Sequence, residues 1–191
     1  AIIGKRETGS TKKLTIENVG TATNSATLDI KSTESVGINA TNTAGTATDL
    51  VVKNEYGKIN VEGEKSVGIN ALESTVTNDT NGIIELKNEK TAGIIATKSS
   101  KVTNKGNITL TGPTVGITAS GNGLVGVSLA GSELTNEGSI TMNTAYSTGV
   151  YANDYVNGST RTKSKVTNEK DILVKKEKSV GIYSVNGDVY N

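Results

Sequence analysis

Tyrosine is the side chain in this sequence best suited to contact another molecule. Half of the six tyrosines fall between positions 146 and 155. A tyrosine ring offers a flat apolar surface and a hydroxyl, which suits stacking on a sugar or anchoring a protein partner. The same rings are equally suited to pack a loop against the body of the protein. The candidate binding residues are Tyr146, Tyr151, Asn153, Asp154, Tyr155 and Tyr183.

The carboxylates do not form the clusters that catalysis requires. Enzymes that cleave polysaccharides need carboxylates and basic groups gathered on one surface, whereas here the acidic residues are dispersed along the chain. Glu64 and Glu89 occupy equivalent repeat positions, and so do Lys65 and Lys90, which predicts ion pairs between neighbouring repeats. The sequence therefore predicts a protein that is not an enzyme.

The amino-acid composition excludes several further kinds of site and partner. The chain contains no cysteine and no histidine, so disulfides, thiolates and the commonest metal ligand are excluded. Twenty basic and nineteen acidic residues give a net charge of +1, which selects neither nucleic acid nor acidic lipid. Calcium-binding glycine repeats, a P-loop and a dinucleotide-binding motif are all missing from the sequence, so we expect no metal and no cofactor.

A hydrophobic–Gly–hydrophobic strand recurs six times. It reads SVGINA at Ser35–Ala40 and Ser66–Ala71, and its later copies follow at intervals of about 23 to 33 residues. Periods of this length are typical of solenoids, in which each repeat covers the apolar face of its neighbour. The repeated glycines are Gly37, Gly68, Gly93, Gly116, Gly149 and Gly181.

A second motif, hydrophobic–x–Asn, follows each glycine strand and leads through a turn into a short Ile-x-Val type strand. We expect its asparagines to point inward and to stack in a ladder, passing amide hydrogen bonds from coil to coil. The alternative is that asparagine only tolerates the backbone of the turn. The predicted ladder consists of Asn54, Asn78, Asn104, Asn136 and Asn168, with Asn18 as an earlier copy.

Three short strands per repeat predict an all-β fold, a right-handed parallel β-helix of about seven coils. Alternation along Val36–Ala40 predicts that Val36, Ile38 and Ala40 point inward, while Gly37 and Asn39 point outward. We expect residues 1–191 to form one β-helical segment that is a fragment of a longer protein. The first residues do not resemble a signal peptide, and no apolar stretch is long enough to span a membrane as a helix.

The repeats differ in length at one corner. The step from the Ile-x-Val strand to the next glycine is nearly constant, whereas the step from the glycine strand to the next hydrophobic–x–Asn varies widely. Insertions in solenoids form loops on one face, which is often the binding face. The variable loops are 41–51, 120–133 and 153–165.

The paired motifs resemble the passenger domains of large autotransporter adhesins, most closely those of the giant fusobacterial surface adhesins. The resemblance covers about Lys13 to Asn191 and rests on SVGINA or SVGIYS followed by VTNxGxIxL. It implies a right-handed β-helix that is exported to the cell surface and held at the outer membrane by a barrel elsewhere in the polypeptide. It also implies a monomeric passenger that adheres to a protein or glycan on host cells or other bacteria, and it transfers no ligand-binding residue.

We therefore interpret the chain as an adhesin segment whose corner loops are a candidate contact surface. One alternative is an inert β-helical spacer, and another is a β-helix that processes polysaccharides. A trimeric autotransporter head is the third alternative, although its repeat is shorter.

Overall fold

The computed structural model describes residues 1–114, 116 and 120–191, and its architecture is the right-handed parallel β-helix that the repeats predict. Three parallel sheets form its sides, and each strand pairs with its equivalent in the coils before and after it. The two short 3-10 helices of the described chain span Ala47–Asp49 and Ser120–Asn122, and neither is long enough to cross a membrane.

The first sheet carries the glycine motif, and we call it the glycine sheet. Its strands are β1 (Ile2–Arg6), β4 (Val36–Asn42), β7 (Val67–Leu72), β10 (Ala92–Thr97), β13 (Val125–Ala130), β16 (Thr148–Asn153) and β21 (Val180–Val185). The second, which we call the asparagine sheet, contains β2 (Leu14–Val19), β5 (Leu50–Glu55), β8 (Thr75–Asn78), β11 (Lys101–Asn104), β14 (Glu133–Asn136), β19 (Lys165–Asn168) and β22 (Asp188–Tyr190).

The third sheet carries the Ile-x-Val motif. It contains β3 (Ala26–Ile30), β6 (Gly57–Val61), β9 (Ile83–Leu86), β12 (Asn107–Leu110), β15 (Ser139–Met142) and β20 (Ile172–Val174). A separate antiparallel hairpin, β17 (Tyr155–Asn157) and β18 (Thr160–Thr162), projects from the corner between the glycine and asparagine sheets.

The core consists of aliphatic rows that run along the helix axis. In the glycine sheet Ile38, Ile69, Ile94, Val127 and Val150 stand in register and are fully buried. Burying a valine or isoleucine side chain contributes roughly 1.5–3 kcal/mol. Because each row touches its neighbours above and below, this stabilisation depends on the stacking of coils and not on any single coil.

The glycines of the glycine sheet face the core, which corrects the prediction that they point outward. In β4, β7, β10, β13 and β16 the glycine and the following residue are both buried, and Val36 and Val67 are only half-buried. A β-carbon built on Gly68 would lie 2.6 Å from the carbonyl oxygen of Gly93 and 3.4 Å from the Ile59 side chain. Glycine is therefore required because neighbouring backbones approach closely at this point.

The glycines of successive strands in the glycine sheet form one row along the helix axis. In β13 the residue of this row is Gly126 and not Gly116, so the prediction for Gly116 is wrong. Strand β13 pairs with β10 on one side and β16 on the other, and a β-carbon on Gly93 would meet the Gly126 carbonyl at 2.6 Å. Gly116 has a φ of +76° and no atom within 4 Å of such a carbon. Of the predicted strand at 114–119, residues 115 and 117–119 lie outside the described part of the chain.

This correction moves one insertion to a different corner. The segment 120–133, predicted as a variable loop, contains strand β13, and the extra residues lie between β12 and β13 instead. Segment 41–51 holds the end of β4 and a 3-10 turn, and segment 153–165 holds the hairpin. Insertions therefore occur at two corners of the helix, because a longer loop is accommodated wherever the strands on either side keep their register.

The asparagines form a continuous ladder along the interior. Each Nδ2 donates a hydrogen bond to the Oδ1 of the next asparagine, at 2.7 Å from Asn54 to Asn78 and 2.8 Å from Asn78 to Asn104. The four central asparagines are fully buried. The ladder runs through Asn18, Asn54, Asn78, Asn104, Asn136, Asn168 and Asn191.

A second ladder, which the sequence interpretation did not identify, consists of buried serines. The backbone N–H of Ser74 donates to the Ser100 hydroxyl at 3.1 Å, and those of Ser100 and Ser132 donate to the next serine at 3.2 Å. These serines precede the hydrophobic–x–Asn motif by two residues, which is the signal that identifies them in the sequence. They satisfy backbone groups that the corner would otherwise leave buried without partners.

The Gly126 position provides a test of the corrected row. Replacing Gly126 with alanine is expected to lower the free energy of unfolding by about 1–3 kcal/mol, because the new β-carbon overlaps the Gly149 carbonyl. Gly121→Ala is the matched control, since nothing lies within 4 Å of a β-carbon there. Urea unfolding followed by circular dichroism measures both; equal losses would contradict the assignment of Gly126 to the row.

The asparagine ladder predicts a second stability difference. Asn104→Ala removes the ladder acceptor of Asn78 Nδ2, which keeps only a 3.4 Å bond to the Gly82 carbonyl, and the donor to Asn136 Oδ1, and we expect it to cost about 2–5 kcal/mol. Asn107 is exposed three residues beyond the motif, so Asn107→Ala should leave the unfolding midpoint nearly unchanged. If both variants unfold at the same urea concentration, the ladder does not stabilise the fold as described.

Candidate functional site

Tyr151 and Tyr183 form a stacked pair on the outer surface of the glycine sheet. They are in register on β16 and β21, and their ring centroids lie 5.8 Å apart with planes 19° from parallel. Tyr183 is 50% exposed, whereas Tyr151 is half-buried beneath its neighbours. Because the two strands hold the rings one coil apart, the pair is a preformed aromatic surface that needs no rearrangement to meet a partner.

Tyr146 lies at the corner that precedes this strand and is engaged with Lys178 of the next coil. Lys178 Nζ donates to the Tyr146 hydroxyl at 2.9 Å and lies 4.9 Å from the ring centroid. The pKa of Lys178 is raised above its usual value, chiefly by this hydrogen bond. Tyr146 therefore connects two coils, and the structure does not place it in the stacked pair.

Asn153, Asp154 and Tyr155 lie at the opposite corner, where the hairpin begins. The Tyr155 β-carbon packs so closely on Gly131 that a β-carbon on that glycine would come within 2.5 Å of it. The Asp154 side chain is only 8% exposed, and its Oδ2 lies 2.6 Å from Arg161 Nη1 without a well-directed hydrogen bond. Tyr155 thus packs the hairpin against the helix, which is the packing role that the sequence left open, whereas the ion pair of Asp154 lies within the hairpin segment.

The sequence-predicted residues therefore divide into three groups across the end of the glycine sheet. Tyr151 and Tyr183 are together and accessible, Tyr146 is bound at one corner, and Asp154 and Tyr155 are used in packing at the other. Asn153 joins the sheet to the hairpin, in register with Ala130 and Val185. The stacked pair is consequently the part of the predicted site that is available to a partner.

Several carboxylates outside this site are engaged in ion pairs between coils. Lys65 and Lys90 reach Glu34 and Glu64 at 3.2 and 3.4 Å, which confirms the ion pairs expected at this corner. On the third sheet Lys58 lies 3.1 Å from Glu85. Burial alone would raise the pKa of Glu85, but the hydrogen bond and charge of Lys58, together with Lys87 and the Thr111 hydroxyl, outweigh it, and the pKa is lowered. Among the described residues no group of acidic side chains is arranged to hold a metal ion.

A cleft that the sequence did not reveal opens at the corner between the third sheet and the glycine sheet. Its volume is about 450 Å³, and it lies where the insertion after β12 passes the turn after β15. Neutral polar groups and one lysine dominate its walls. The lining residues are Thr111, Gly112, Pro113, Thr114, Gly116, Asn143, Thr144, Ala145 and Lys176.

Comparison with known protein families identifies the family of this chain. The family model of the BigA third pectate lyase-like domain matches residues 2–191, which is nearly the whole chain. No curated protein and no solved structure matches the chain.

If the packing of Tyr155 on Gly131 holds the hairpin against the helix, disturbing this contact should expose the hairpin to proteolysis. Gly131→Ala introduces a β-carbon that overlaps Tyr155, so we expect trypsin to cleave faster after Arg161 in the hairpin. Gly116→Ala is the matched control because Gly116 also has a positive φ but has open space around it. Mass spectrometry of timed digests measures the cleavage. Similar rates in the two variants would show that backbone strain, and not this contact, controls the hairpin.

Proposed function

We propose that this chain, which belongs to the family of the BigA third pectate lyase-like domain, is a segment of an extracellular adhesin through which bacteria attach to other surfaces. The family match supports a β-helix domain of a bacterial surface protein. A role in attachment goes beyond this match, and our proposal of that role rests on the surface chemistry of the chain.

The observation that carries this proposal is the stacked pair of Tyr151 and Tyr183. Tyrosine is among the residues that contribute most to interfaces, because a rigid ring buries a large area at a small cost in side-chain entropy. Tyr183 still exposes half of its surface, so a partner gains free energy by covering it. The parallel pairing of β16 and β21 fixes the two rings before the partner arrives.

The proposal extends to the setting of the segment. The resemblance to fusobacterial adhesins favours an autotransporter passenger, monomeric along its length and anchored in the outer membrane by another part of the polypeptide. Its partner is then a protein or glycan on a host cell or another bacterium. The near balance of charge, +1 overall, argues against nucleic acid as the partner.

We propose further that the likeness to pectate lyases concerns the fold and does not extend to catalysis. Two carboxylates of the third sheet and its corner are paired with lysines, Glu85 with Lys58 and Glu62 with Lys87, each at 3.1 Å. A carboxylate held in an ion pair with a lowered pKa is a poor general acid. Incubation with polygalacturonate and other polysaccharides should therefore yield no cleavage products.

An inert spacer is the second candidate function, and the ladders favour it. Hydrogen bonds that continue from Asn18 to Asn191 stiffen the helix along its axis, as a stalk that carries a distant binding domain requires. The two functions differ in whether the tyrosine face contributes to attachment.

Substitution of the tyrosine pair distinguishes them. Beads coated with the Tyr151→Ala/Tyr183→Ala variant should bind partner bacteria or host cells at least tenfold more weakly than wild-type beads, because the aromatic surface is removed. Tyr190→Ala is the matched control, since Tyr190 is 55% exposed in the same coil but lies on the asparagine sheet. Attachment that is the same for all three proteins would favour the spacer.

A further inference from the structure

Along the described strands from β4 to β21, the outer surface of the glycine sheet carries no charged side chain, and we call this surface the neutral face. Its outward positions are occupied by aliphatic, hydroxyl, amide and tyrosine side chains. These positions are Val36, Asn39, Thr41, Val67, Asn70, Leu72, Ala92, Ile95, Thr97, Val125, Ser128, Ala130, Thr148, Tyr151, Asn153, Val180, Tyr183 and Val185.

The other two sheets differ sharply from the neutral face. One outward row of the asparagine sheet runs through Lys101, Glu133, Lys165 and Asp188. Charges also border the neutral face at its corners, where Lys90 pairs with Glu64 and Lys98 with Glu73 at 2.9 Å. In a chain with 39 charged residues, their exclusion from one side is therefore a property of that side and not of the overall composition.

The stacked tyrosines lie at one end of the neutral face among neutral hydrogen-bonding groups. In the register, Ser128 precedes Tyr151 in the same outward row, and Thr148 and Asn153 flank Tyr151 on its own strand. A charged ligand covering this surface would lose hydration without gaining a counter-ion. The chemistry suits a ligand that is uncharged, rich in hydroxyl groups and apolar on one side, so that it stacks on a ring and exchanges hydrogen bonds at its edges.

The dimensions of the neutral face favour a chain-like ligand over a second copy of this protein. Six strands spaced about 4.8 Å apart, with outward positions spread over about 16 Å, give roughly 400 Å². Two such faces packed together would bury about 800 Å² in total, which is below the roughly 1,200 Å² typical of a stable protein interface. An oligosaccharide lying across the strands needs no larger surface.

We propose that the neutral face binds an uncharged glycan, with one sugar ring stacked on Tyr183 and neighbouring hydroxyl groups near Tyr151, Ser128 and Asn153. This inference rests on the proposed function in adhesion and names the class of its ligand. Binding of this kind involves no ion pairs, so its strength does not change between low and high salt.

Surface plasmon resonance with the whole chain tests the ligand class. The probes are the neutral polysaccharides dextran, mannan and galactan, and the acidic polysaccharides polygalacturonate and heparin. We expect binding to at least one neutral probe, unaffected by salt, and at least fivefold weaker binding in Tyr183→Ala than in the Tyr190→Ala control. Binding to acidic probes alone, or to none of the neutral probes, overturns the proposal.

The sign of an introduced charge gives an independent test. Ser128→Lys and Ser128→Glu should both weaken binding of the neutral probe by a similar factor, because either charge must be desolvated. Thr135→Lys, at an outward position of the asparagine sheet, is the matched control and should leave binding unchanged. Opposite effects of the two Ser128 variants would indicate a charged ligand and contradict the inference.

Treatment of partner cells separates this inference from the proposed function. Periodate oxidises the vicinal diols of surface glycans, and it should abolish attachment of coated beads, whereas protease treatment should leave attachment largely intact. Suppose that protease abolishes attachment, periodate does not, and the Tyr151→Ala/Tyr183→Ala variant shows the expected weaker attachment. The chain is then an adhesin for a protein, and the glycan assignment is wrong. If neither treatment nor variant changes attachment, both proposals fail.

Discussion

The amide hydrogen bond between successive asparagines is the interaction on which the rest of the structure depends. A side-chain amide has one donor direction and one acceptor direction to offer along the axis, so each asparagine is satisfied only when its neighbours stand directly above and below it. A shift of one residue would place buried valines in water and asparagines out of line. The links from Asn54 through Asn136, at 2.7 to 2.8 Å, therefore hold the strands of the asparagine sheet in register.

This constraint explains why so much of the fold is predictable from the sequence. Residues that must stack on their equivalents recur in identical form, and the recurrence of SVGINA and VTN is visible without any structural information. The choice between Gly116 and Gly126 was not predictable in this way, since both stand between β-branched residues. The residues around Gly126 decide it, because Leu124, Val127 and Leu129 enter the core and lead directly into the next asparagine strand. The inward direction of the glycines was equally hidden, since simple alternation does not anticipate two consecutive buried residues.

The candidate site was predictable only in part, for a related reason. Repeat spacing aligns Tyr151 with Tyr183, so their stacking follows from the register. Tyr155 belongs to an inserted segment, and no repeat describes how such a segment folds. Its position depends on Gly131, where the absence of a side chain leaves room for the hairpin to pack. The neutral face was not recognised from the sequence because its members are separated by charged residues that belong to corners and other sheets.

Rigidity and the proposed recognition surface lie on the same strands of this β-helix. The ladders order the strands before any partner arrives, so a ligand on the glycine sheet does not have to restrict backbone motion, which is a major cost of association. Insertions are confined to the corners, where they leave the register of β16 and β21 intact. Sequence change at the corners can therefore proceed without disturbing the tyrosine face, and substitution on the face can change binding without disturbing the buried ladders. The separation of these two sets of residues would allow the repetitive β-helix to carry the specific surface that we propose.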